Sequence, residues 1–206
     1  MYKEMLLGKN RVEALTDGIY AIAMTLGVLT INVSDLPRVP EGGHLLKHFS
    51  IIYPHVLHYA IAFFVLISFW MAHHRQMNNI QHVDSTYTWL NLVTLFFVSI
   101  VPFTTDLVGT YSKFSAAVTC YAGNLLLIGL FSSASWHYAA AGRRLLVNSI
   151  TDDQIAVSKS RGISVPIVSV IVILYANFIS PSNATALFLL IFPMHKIINR
   201  IYRQRR

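Results

Sequence analysis

Apolar positions in this chain gather into six long blocks, separated by stretches where Pro, Gly, Asn and charged residues collect. The first block, RVEALTDGIYAIAMTLGVLTINV from Arg11 to Val33, is apolar from Ala14 onward except for Thr16, Asp17, Thr25, Thr30 and Asn32, and it contains no Pro. Twenty residues of α-helix rise about 30 Å, the hydrocarbon thickness of a bilayer, so the block predicts a membrane-spanning helix over residues 14–33. On a helical projection Leu15, Gly18, Ile22, Leu26, Leu29 and Val33 fall three or four positions apart. They form one apolar stripe, with Thr25 at its edge. If anything passes through this protein, that stripe is where its path is expected.

The remaining blocks predict spans over residues 51–72, 87–108, 115–137, 163–179 and 184–198. Pro37, Pro40, Gly42 and Gly43 make residues 34–50 a loop outside the membrane. His73, His74, Arg75, Gln76, Asn78 and Asn79 predict a polar turn after the second span. Residues 141–162 carry Arg143, Arg144, Asp152, Asp153, Lys159 and Arg161 and predict a partly helical stretch outside the membrane. Ser180-Pro181-Ser182-Asn183 predicts a tight turn before the last span. The expected fold class is an all-α integral membrane protein, one domain over residues 1–206 with six transmembrane helices.

Composition agrees with that class: 54% of the 206 residues are hydrophobic and 12% charged, with a mean hydropathy of +0.53. Lys and Arg outnumber Asp and Glu by 16 to 9, but they punctuate apolar blocks and line no polar face, so no nucleic-acid partner is expected. Six spans place both termini on one side. That side holds 13 of the 16 Lys and Arg residues, leaving Arg38, Lys47 and Lys113 opposite, which predicts cytoplasmic termini. The start, MYKEMLLGKNR, is charged and short of an apolar core, so no cleavable signal peptide is expected. Cys120, inside an apolar run, is read as a small buried hydrophobe.

Asp17 is the residue that most needs explaining: a carboxylate at the centre of a transmembrane helix costs roughly 2.5–3.5 kcal/mol on insertion scales, and less near the interface, where this one is expected. Arg11 lies about 240° round the same helix and cannot easily pair with it. The expected partners are His73, His74 and Arg75 at the end of the second span and Asn91 early in the third, whose ends meet on one side. Such a cluster is either a proton or ion relay or a hydrogen-bonded lock between helices. His73 and His74 point about 100° apart on a helix, poor geometry for one ion, so no metal site is expected. His55 and His58 share a face without other convergent ligands and are read as hydrogen-bonded or solvated. No TVGYG run, no arginine-repeat helix and no matched pair of broken helices appears in the sequence. These absences argue against a carbonyl-cage potassium filter, a voltage sensor and an alternating-access transporter. No nucleophile, metal or acid–base pair converges, so no enzyme is expected.

The stretch RVEALTDGIYAIAMTLGVL resembles the first-helix signature of the transmembrane-protein-175 family, the endosomal and lysosomal potassium channels and their prokaryotic relatives. That signature runs Arg, three residues, Phe-Ser-Asp, Gly and an Ala-Ile, Thr-Leu run; here Leu15-Thr16 stands where the family shows Phe-Ser. The likeness continues in SFWMAHHRQMNNI and TWLNLVTLFFVSIVPFTTDLV. It implies a potassium-selective, leak-type cation channel: a homotetramer in a prokaryotic inner membrane, with the first helix of each subunit lining a central pore. The family's hydrophobic gate maps onto Ile22, Leu26 and Leu29, with Thr25 at a hydroxyl-bearing position between them. Arg11, Thr16, Asp17, His74 and Asn91 would form the polar network behind the pore helix. Potassium is the permeant ion, and no cofactor is implied. The alternative is a proton channel or a proton-coupled secondary transporter working through Asp17 and the His73-His74 region.

Overall fold

Helix follows helix along the chain, in the order the apolar blocks predict: α1 (Lys9–Leu26), α2 (Leu46–Asn78), α3 (Ser85–Thr110), α4 (Ser115–Ala140), α5 (Asp152–Phe178) and α6 (Ile191–Arg203). The structure is a computed structural model that describes residues 8–31 and 46–203. Six of its helical segments are long and apolar enough to cross a membrane. Val33 of the stripe and most of the expected 34–50 loop lie outside the described residues.

Where helix bounds depart from the apolar blocks, the local chemistry gives the reason. The first span is α-helical from Lys9 but tightens to a 3-10 turn at Gly27–Thr30. Thr25 Oγ1 donates back to the carbonyls of Ala21 and Ile22 at 2.9 and 3.0 Å, a contact that bends helices. Gly27 brings the backbone against α2, where a Cβ would stand 2.9 Å from the Tyr59 ring. The second span begins at Leu46 and continues to Asn78, so His73 to Asn78 form the last turns of α2 instead of a polar turn. Loss of apolar character marks where lipid ends and leaves the helix free to continue, and Arg75 in the last turn suits its C-terminal dipole. Residues 152–162, expected outside the membrane, are the opening turns of α5. Thr151 and Gln154 form a reciprocal capping box that starts that helix. The last span opens as a 3-10 segment, Ala184–Leu190, before α6.

Packing is centred on α4, which lies between α3 and α5, while α1 packs on α2 and α3. Pro166 of α5 sits against Gly129 of α4, where a Cβ would come within 2.6 Å of the proline ring. The main core joins Tyr20, Val65, Leu66, Val98, Leu125, Ile128 and Val172. A second cluster, with Met77, Ile80, Tyr87, Trp136 and Leu145, closes the side where α1 begins and α6 ends, hereafter the terminal side. There Lys9 Nζ donates to the Ile80 carbonyl at 2.8 Å, tying the start of α1 to the end of α2. Large apolar side chains also face outward: Phe103, Trp89, Ile179 and Phe178 are all exposed. Cys120 is exposed as well, against the sequence expectation, because an apolar residue in a membrane span is at home facing lipid. His58, by contrast, is buried in α2.

Candidate functional site

The first helix divides cleanly into two faces. Val12, Thr16, Tyr20 and Ala23 are buried at spacings of three and four, and Gly27 continues the row. Opposite them, Leu15, Ile22, Leu26 and Leu29 are 45, 57, 44 and 73% exposed. Gly18 and Thr25 lie exposed among them, and nothing stands within 4 Å of where a Gly18 Cβ would be. The stripe read from the sequence is thus the face that α1 turns away from its own subunit. Beside the core residues Val12 and Tyr20, this inner face carries the small or polar Thr16, Ala23 and Gly27, as close helix approach in lipid depends on small side chains and interhelical hydrogen bonds.

Those polar residues set the rotation of α1. Thr16 is fully buried; its hydroxyl donates to the Val12 carbonyl at 2.8 Å and accepts from Asn91 Nδ2 of α3 at 2.9 Å. Next to it Asp17 Oδ1 accepts from Trp70 Nε1 of α2 at 2.8 Å. The Trp70 ring stacks on His74 with centroids 5.7 Å apart, and His74 Nδ1 lies 3.8 Å from Glu13 Oε1. His73 is buried beside Asn91, and its Nε2 has no hydrogen-bond partner among the described residues. Further along, Tyr59 Oη donates to the Met24 carbonyl at 3.3 Å, holding the end of α1 to α2.

Of the residues expected to cluster, Thr16 and Asn91 bond directly, while Asp17 and His74 are joined through Trp70. Arg11 is exposed at the start of α1, and among the described residues no ion pair reaches it. Arg75, a candidate partner of Asp17, instead faces α5 and α6. Sequence reasoning missed Trp70 and Glu13. Both carried a signal: Trp70 and His74 are four residues apart on α2, and Glu13 and Asp17 are four apart on α1, spacings that share a helix face. The assembled site offers an outward apolar stripe, an exposed hydroxyl within it, and carboxylate and imidazole groups at its terminal-side end.

Known proteins resemble this chain in sequence and in fold. Residues 11–102 match the profile of the family described as endosomal/lysosomal potassium channel TMEM175. A potassium channel from Chamaesiphon minutus is 32% identical over 140 residues, which cover 66% of this chain and 68% of the relative. A potassium channel from Streptomyces collinus is 31% identical over 138 residues, 65% of this chain and 66% of the relative. The endosomal/lysosomal proton channel TMEM175 of Bos taurus is 32% identical over 141 residues, and the match spans 29% of its length. Among solved structures, the crystal structure of the Chamaesiphon minutus homologue of the lysosomal potassium-selective channel TMEM175 superposes with a TM-score of 0.78 at 26% identity, over 93% of this chain and 98% of that one.

Proposed function

The chain belongs to the TMEM175 family, and from that premise we propose that it is a homotetrameric, potassium-preferring leak channel of the cell membrane with cytoplasmic termini. In this reading the first helices of four subunits surround the conduction path. The observation that carries it is the outward stripe of α1: four large apolar side chains turned away from the subunit that polar contacts hold in place. Four copies round an axis would set rings of Ile22, Leu26 and Leu29 into an apolar neck. Such a neck dewets when narrow and must widen to pass an ion with part of its hydration shell. A cation that sheds water more cheaply crosses it faster, which favours potassium over sodium. Thr25 fits the same scheme, since its hydroxyl hydrogen is committed to the helix carbonyls and its oxygen lone pairs are left for a cation. Gly18, without side-chain bulk, would leave a wider vestibule on the terminal side. The Asn91–Thr16 and Trp70–Asp17 bonds then act as locks that fix the rotation of the pore helix.

A second reading, proton conduction, is favoured by the row of titratable groups Glu13, His74 and Asp17 around Trp70 at that vestibule. It predicts current in potassium-free solution that follows the proton gradient.

Accessibility of substituted cysteines tests the pore assignment. In a Cys120→Ser background, Leu26→Cys channels should lose most of their current to a water-soluble methanethiosulfonate reagent. Phe178→Cys, at a site that is 82% exposed on α5, should lose none. Equal insensitivity of the two variants would take α1 out of the conduction path.

A further inference from the structure

On the terminal side, where α2 and α6 end and α5 begins, the subunit holds a cavity of about 410 Å³ that the conduction scheme does not use. Arg75 of α2 and Arg161 of α5 both line it, close enough that their positive charges oppose one another. Both guanidinium groups are half-buried, and neither belongs to a salt bridge among the described residues. Arg161 donates to Asn199 Oδ1 of α6, and its Nε is buried without a hydrogen-bond partner. Asp153 adds a carboxylate to the lining, so that among the described lining residues one negative charge stands beside two positive ones. Asn78, Ser158 and Tyr202 add amide and hydroxyl groups to the wall.

Holding two like charges together in a half-buried cavity costs free energy unless an anion joins them. The last-turn position of Arg75 accounts for one of them, through the C-terminal dipole of α2. It leaves Arg161 and its unpartnered Nε unexplained. The walls are also fixed in advance: Ser160 and Tyr202 hydroxyls meet at 3.1 Å, and Ser164 Oγ lies 2.8 Å from His195 Nε2, so α5 and α6 are cross-linked on both sides of Arg161. A site that is already ordered loses little entropy on binding. Guanidinium forks match the tetrahedral oxygens of phosphate, which accept several charged hydrogen bonds at once.

We propose that this cavity binds a phosphate group, with Arg75 and Arg161 as its charged contacts. An anionic phospholipid headgroup and a free phosphate share that chemistry. The site stands independently of ion conduction, and its test reads binding alone. Purified protein in a neutral detergent is titrated calorimetrically with inorganic phosphate, with dioctanoyl phosphatidylglycerol and, as a zwitterionic control, with dioctanoyl phosphatidylcholine. Arg161→Gln should weaken binding about tenfold. Arg143→Gln should leave binding unchanged, because Arg143 pairs with Asp152 at 2.6 Å outside the cavity. Asn78→Asp, at an exposed lining position, should also weaken it about tenfold by adding a carboxylate, and it carries the test if Arg161→Gln does not fold. Binding of phosphate alone assigns a soluble ligand, and binding of the glycerol lipid without phosphate assigns a headgroup; both uphold the site. Binding of neither probe overturns it. So does a loss in Arg143→Gln equal to that in the cavity variants, which would mark diffuse attraction to a basic surface.

Discussion

Thr16 shows how one side chain decides what a whole helix presents. It is buried between α1 and α3, with donor and acceptor both used, and its bond to Asn91 fixes which residues of α1 face inward. Interhelical hydrogen bonds in membrane proteins average about 0.6 kcal/mol, but a buried amide left without its partner costs about 1–3 kcal/mol. Thr16→Val, which keeps the shape and removes the hydroxyl, should therefore destabilise the detergent-solubilised protein by about 1–2 kcal/mol. Asn91→Leu should cost a similar amount. In the Thr16→Val/Asn91→Leu pair neither polar group is orphaned, so thermal unfolding should give a loss smaller than the sum of the two single losses. Strict additivity would mean that the bond does not couple α1 to α3. Both residues stand out in the sequence as polar groups inside apolar blocks. Trp70 does not, because a tryptophan near the end of a span reads first as an interfacial aromatic, and its indole N–H becomes a partner for Asp17 only once α1 and α2 are side by side.

At the scale of elements, the number and order of helices follow from apolar run length, and their ends follow from local chemistry. The T-D-D-Q capping box that opens α5 stands in the sequence at residues 151–154, inside a stretch that hydropathy places outside the membrane without fixing where its helix begins. The 3-10 turn after Leu26 depends on Thr25 bonding back along its helix and on Gly27 meeting Tyr59, a contact between residues distant in sequence. Which face of each helix is buried is the hardest feature to read, since lipid and core are both apolar; Cys120 is the plain case. Close approach between helices is equally hidden. Gly129→Ala should destabilise the protein by about 1–3 kcal/mol, because the new methyl would overlap the Pro166 ring and α4 and α5 would have to part. Gly123→Ala, on the same helix with nothing within 4 Å, should be neutral or stabilise by up to about 1 kcal/mol through helix propensity. Equal thermal stability of the two variants would remove the Gly129–Pro166 contact as a determinant of the fold.

Taken whole, the subunit buries the Val12, Thr16, Tyr20 and Ala23 side of α1 and leaves its stripe of large apolar side chains uncovered, so α1 lines no path enclosed within one chain. In the proposed channel the path accordingly runs along an axis shared by several subunits, with the stripe as the common wall. The residue-level locks, the helix-level faces and the family membership together support the proposal that the chain forms a potassium-preferring channel. Its most direct test is the reversal potential of purified protein in a planar bilayer, with potassium on one side, sodium on the other, and equal pH. The account predicts resolved channel currents that reverse towards the potassium equilibrium potential. A reversal at zero, or flux too slow for channel events, would contradict it.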